Sequence, residues 1–195
     1  MIKKWEKLFS ETVFQSNWFD IQKNKVSIDE QKTIDDYYVI KNKDAVMIAG
    51  LLDNGNILMK REYRLPVDDI LLELPAGAIE DDDISPLAAA KREFREETGC
   101  TSNTWKYIGT SYDCPDRCSS KLHLFIADHC ERTSGGQNLD INERIDVEEI
   151  SLERAIDLCV KNIIKVNSCV HLIIVAAIYK KFPAKLEGIH DRKDI

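Results

Sequence analysis

From Ser85 to Gly99 the chain encodes both ends of one helix and crowds three acids onto it, which limits its folding more than any other segment does. Ser85 can cap the open N–H groups of a first turn, and Pro86 suits the first helical position, where a missing N–H costs nothing. Leu87, Ala90 and Phe94 recur at helical spacing and Gly99 supplies the stop, so the pattern predicts a helix over residues 86–97.

At 3.6 residues per turn, Glu93 and Glu97 share a face and Glu96 lies beside Glu93. Each like-charged pair costs an isolated helix roughly 0.2–0.5 kcal/mol, and the macrodipole opposes carboxylates near a C-terminus. Propensity therefore gives no reason for the cluster. Two readings are open. Lys91, Arg92 and Arg95 could neutralise the acids on a solvated face, or the acids could hold a hard cation such as Mg²⁺ or Mn²⁺, which selects oxygen ligands. The preceding PAGAIEDDD favours the second, because it sets backbone carbonyls and a glycine, Gly77, beside the helix.

The rest of the chain is consistent with a soluble globule. Its 195 residues, 44% hydrophobic and 31% charged, can bury one sizeable core plus a small appendage. A net charge of -7 disfavours a sequence-independent grip on nucleic acid, so an anionic substrate needs a local arginine or a metal. With no run of 18 apolar residues and no signal-peptide pattern, the expectation is a cytoplasmic chain with no membrane contact. The six cysteines are then expected to stay reduced; Cys114, Cys118, His123, His129 and Cys130 could in principle gather zinc, but their irregular spacing favours ordinary thiols.

WFDIQKNKV and TIDDYYVI, split by a polar SIDEQK turn, suggest an antiparallel pair within an N-terminal region, residues 1–44. In AVMIAGLLDNGNILMKREY, a DNG turn between apolar runs predicts a hairpin of strands at 45–52 and 56–63. ILLEL reads as a short strand, PAGAIEDDDISP as a loop, and WKYIGTSY and KLHLFIADH as further strands. Helices at 152–162 and 168–182 close a main domain of residues 45–182, and residues 183–195 read as a loose polar tail.

LPAGAIEDDDISPLAAAKREFREETGC resembles the Nudix box, G-x5-E-x7-R-E-U-x-E-E-x-G-U with U aliphatic. Arg92, Glu93, Phe94, Glu96, Glu97, Gly99 and Cys100 match its helical half. The resemblance implies an α/β (α+β) Nudix fold, a mixed β-sheet between helices. It also implies two or three Mg²⁺ or Mn²⁺ ions on Glu93, Glu96, Glu97 and the Ala76 carbonyl, with Gly77 and Arg92 bracing the loop. The loop departs from the pattern by one extra residue, which puts the first acid on Asp83 counted forward or on Ile84 counted back; Asp83 is favoured, with the extra residue bulged out.

From about Trp18 to Lys180 the chain resembles the ADP-ribose pyrophosphatase branch of that family. This implies hydrolysis of a nucleoside diphosphate sugar, ADP-ribose first, with Arg64 and Glu73 binding substrate and Glu143 presenting a further acid to the water, alongside Glu97. By the same resemblance Trp18 and Phe19 supply an aromatic face for the base across a homodimer. DCPDRCSSK departs from the branch, so GDP-mannose and ADP-sugars such as ADP-glucose stay open as substrates. A non-catalytic ligand-sensing domain on the same fold also stays open, although it has no need of the acidic triplet.

Overall fold

The computed structural model describes residues 2–186, which divide into two compact units. One unit runs up to Asp44 and takes in Tyr112–Lys121; the other holds Ala45–Ser111 and the chain from Leu122 onward.

The first unit is a three-stranded antiparallel sheet in the order β1-β2-β3, with β1 at Glu6–Gln15, β2 at Asp20–Asp29 and β3 at Lys32–Lys41. The expected pair corresponds to β2 and β3, but the turn shrinks to Glu30 and Gln31 because Ser27–Asp29 and Lys32 join the ladder. β1 was not expected: its Glu, Lys, Ser and Thr residues interrupt the apolar alternation, and every one of its residues is exposed. The Tyr112–Lys121 segment is hooked to β3 by backbone bonds of 2.8 Å from Ile40 N–H to the Arg117 carbonyl and 3.3 Å from Ser119 N–H to the Ile40 carbonyl.

The second unit is built on a seven-stranded mixed sheet. Its strands are β4 (Ala45–Leu51), β5 (Asn56–Arg64), β6 (Asp69–Glu73), β7 (Ala76–Ala78), β9 (Thr104–Ser111), β10 (Leu122–Asp128) and β12 (Ile145–Ser151). The short strands β8 (Cys100–Thr101) and β11 (Glu131–Arg132) pair separately. The main order is β12-β5-β4-β10-β9, with β10 parallel to β4 and the other pairs antiparallel. A helix, α1 (Pro86–Thr98), covers one face; α2 (Leu152–Val160) and α3 (Asn167–Lys181) cover the other.

Strand periodicity explains the layering. On β4, Val46 and Ile48 face α1, while Met47, Ala49 and Leu51 face the α2 and α3 side. β10 does the same with Phe125 and Ala127 against Leu122, Leu124 and Ile126. The sequence therefore alternates between two cores rather than between core and water.

The DNG hairpin forms, but β4 and β5 pair only at Gly50↔Leu58 and Leu51↔Ile57. Beyond that they splay, and β7 fills the gap against Ala45, Val46 and Met47. That strand overturns the reading of Pro75–Pro86 as loop throughout: AGA has little strand propensity, and it is the open edge of β4 that recruits it. Of the tail, Pro183–Leu186 form a 3-10 turn, and the remainder of that expectation lies outside the described residues. Among the described residues no helix is long and apolar enough to cross a membrane.

Candidate active site

The acids of α1 are placed by its caps and by Phe94. Ser85 accepts a hydrogen bond from Ala88 N–H at 3.1 Å, and Gly99, at φ 67, closes the helix with its N–H on the Arg95 carbonyl. Phe94 is fully buried against β4, where a Cβ on Gly50 would collide with its ring. With Phe94 fixed inward, Glu93 and Glu97 turn toward β7 and the end of β5. Gly77 of β7 lies so close that a Cβ there would overlap the Glu93 carboxylate.

Glu97 is 2% exposed, and one carboxylate oxygen accepts from Ala76 N–H at 3.0 Å while the other pairs with the Lys60 ammonium. Burial is the largest influence on Glu97 and pushes its pKa up to about 7, against the opposing pull of Lys60. Glu93 is raised for the same first reason. Arg92 binds the Asp83 carboxylate at 2.8 Å, the Ala78 carbonyl at 3.0 Å, Glu93 at 2.8 Å and Glu96 at 3.1 Å, tying the loop before the helix to the helix. Asp83, rather than Ile84, faces Arg92; Ile84 is 94% exposed, so the extra residue of the loop stands in water.

On β5, Lys60, Glu62 and Arg64 share one face at strand spacing. Lys60 bridges Glu97 and Glu62, the latter at 2.9 Å, and Arg64 holds Glu62 at 3.0 Å and Glu73 at 2.6 Å. A continuous chain of ion pairs thus runs from Glu73 through Arg64, Glu62 and Lys60 to Glu97. Glu143 is half-buried in the loop before β12; its carboxylate accepts from Asp140 N–H at 3.1 Å and its charge acts on Glu93. Trp18 and Phe19 belong to the other unit, where Trp18 is 81% exposed and Phe19 stacks near Phe14 with ring centres 5.5 Å apart.

Lys60 is the residue that the sequence reading missed. It is 1% exposed and sits in ILMKREYR, where the row containing Leu58 changes from apolar to charged at Lys60, Glu62 and Arg64. A lysine continuing a buried row beside an acidic helix was the available signal.

The donor chemistry suits a hard cation. Among the described residues, six carboxylates, those of Glu62, Glu73, Asp83, Glu93, Glu96 and Glu97, share ion pairs with Lys60, Arg64 and Arg92. Among the described residues no three His, Cys, Asp or Glu side chains are gathered into a ready cage, since Arg92 and Lys60 hold the acids. The excess negative charge and the glycine-lined approach at Gly77 fit a divalent ion.

The NUDIX domain model matches residues 41–164. The chain belongs to the Nudix family. Nudix hydrolases generally use divalent metal ions, in keeping with the oxygen-rich cluster. Among curated Nudix relatives, an ADP-ribose pyrophosphatase of Bacillus subtilis (strain 168) is 32% identical over 120 residues, covering 62% of this chain and 64% of its own length. The match therefore spans less than two thirds of that relative. A GDP-mannose pyrophosphatase of Cronobacter sakazakii is 26% identical over 174 residues, covering 81% of this chain and 87% of its own. The crystal structure of an ADP compounds hydrolase superposes with TM-score 0.78 at 21% identity, covering 95% of this chain and 98% of that one, and establishes the shared Nudix fold.

Proposed function

We propose that the chain hydrolyses the diphosphate bond of a nucleoside diphosphate sugar, with ADP-ribose, cleaved to AMP and ribose 5-phosphate, as the leading substrate. The observation that carries this is the acidic face of α1: Glu97 is buried, Glu93 lies against Gly77, and Arg92 holds Glu96 beside Glu93. The similarity to an ADP-ribose pyrophosphatase supports the substrate class, and the similarity to a GDP-mannose pyrophosphatase keeps GDP-mannose as the second reading.

In this reading Glu93, Glu96, Glu97 and the Ala76 carbonyl hold two or three Mg²⁺ or Mn²⁺ ions. When bound, such ions screen the diphosphate charge and ease deprotonation of water. Arg92 keeps the Gly77 loop against the helix through Asp83 and Ala78. Glu143 orients the attacking water and takes its proton. Arg64, preset by Glu62 and Glu73, offers its fork to a phosphate or to the terminal ribose, while Glu73 fixes the fork and reaches the substrate with it. The leaving group departs as a sugar phosphate, and the nucleotide leaves as its monophosphate.

Trp18 and Phe19 contribute the base-stacking face in a cytoplasmic homodimer. The support for assembly is β1, which among the described residues pairs on one side only, with β2, and has Leu8, Phe9, Val13 and Phe14 all exposed. The test is a panel of ADP-ribose, ADP-glucose and GDP-mannose with Mg²⁺, assayed for nucleoside monophosphate. Release from at least one sugar nucleotide, abolished in Glu97→Gln, is expected. Silence across the panel points to a ligand-sensing domain.

A further inference from the structure

The loop that departs from the family pattern, Asp113 to Lys121, carries two cysteines that no part of the proposed chemistry uses. Cys114 and Cys118 bracket a single α-turn: the Cys118 N–H donates to the Cys114 carbonyl at 2.7 Å, and the Arg117 N–H shares that carbonyl at 3.1 Å. Such a turn separates the two Cα atoms by about 6 Å, inside the span that a disulfide bridges without moving the backbone. Cys114 is exposed and Cys118 half-exposed, and Cys118 is among the groups whose proximity acts on the Cys114 thiol. Of the other four cysteines, Cys100, Cys130 and Cys169 are buried, and burial pushes the Cys130 thiol up to about 12; Cys159 is half-exposed on α2.

We propose that Cys114 and Cys118 are a thiol-oxidation site that closes reversibly into an intramolecular disulfide by exchange with a low-molecular-weight disulfide. The Asp116 carboxylate accepts the Cys114 S–H at 3.3 Å and, as the largest influence on it, raises that thiol above its ordinary range. Cys118 therefore attacks first. Its thiolate displaces one thiol from the incoming disulfide, and Cys114 then attacks the mixed disulfide at the Cys118 sulfur and releases the second thiol. The protein loses two hydrogens as one small disulfide is reduced to two thiols.

Closure locks a turn whose carbonyls are already in use. Arg117 accepts from Ile40 N–H, and Asp116 accepts from the Tyr37 hydroxyl at 3.1 Å. The disulfide thus stiffens the clasp that ties this loop to β3 within the first unit.

The test exposes the full chain to oxidised glutathione at mildly alkaline pH, quenches it by acid and alkylation, and maps the cysteine peptides by mass. The expected result is Cys114 joined to Cys118, reopened by dithiothreitol, with Cys100, Cys130 and Cys169 alkylated as thiols and Cys159 not joined to either member of the pair. In Cys114→Ser, which lacks the closing partner, glutathione should be trapped on Cys118 as a stable adduct. Separate glutathione adducts on Cys114 and Cys118 in the unaltered protein, or two free thiols there after the same exposure, overturn the proposal.

Discussion

Lys60 shows how one side chain holds the acidic helix in order. Buried at 1% exposure between Glu97 and Glu62, it is the cation that lets Glu97 stay inside the protein. Lys60→Met removes that cation and should cost about 3 kcal/mol above neutral pH, the scale for breaking a buried ion pair. The sign with pH follows from Glu97, whose folded pKa, about 7 even with Lys60 present, lies above its value in an unfolded chain. A carboxylate raised on folding binds a proton more tightly when folded, so stability is lost as pH rises through that pKa. The variant should therefore melt closer to the parent at pH 6 than at pH 8, in metal-free buffer; an equal gap at both contradicts the buried-pair account. The convergence of Glu93, Glu96 and Glu97 was legible in the sequence because helical spacing brings them together, whereas the place of Arg92 came from the family resemblance. The partner of Glu97 was not legible, because no local rule says which strand residue a helical acid will meet.

At the scale of elements, α1 was readable end to end because its signals are local: a serine cap, a proline at the first position and a glycine stop. Ser85→Ala should cost about 1 kcal/mol by chemical denaturation, the usual loss of a cap, and an unchanged midpoint would show that the 3.1 Å bond from Ala88 contributes nothing. β7 and β1 were illegible for the opposite reason. Ala76–Ala78 is a strand only because β4 presents an open edge to it, and β1 pairs with β2 through a bulged register that its polar residues do not advertise. The same close packing appears at Gly50, where a methyl meets the Phe94 ring. Gly50→Ala should cost about 1–3 kcal/mol by overpacking, measured by the same unfolding experiment, and a neutral result would mean that Phe94 has room to move.

For the whole molecule, the mixed sheet with α1 on one face and α2 and α3 on the other was expected from the family resemblance and is the fold observed. The proposed assembly is a separate matter and rests on the first unit. An edge strand with four exposed apolar residues predicts a dimer by light scattering at micromolar concentration, and Phe9→Lys with Phe14→Lys should return it to monomer. A parent protein that is monomeric at that concentration contradicts the proposal that Trp18 and Phe19 supply a face for the base across a homodimer. The account as a whole rests on the α1 carboxylates gathering divalent cations, and a calorimetric titration with Mn²⁺, with and without ADP-ribose, addresses this most directly. Saturable uptake by the parent protein, lost in Glu97→Gln while the variant stays folded by circular dichroism, is the predicted result. No uptake by the parent under either condition would contradict it.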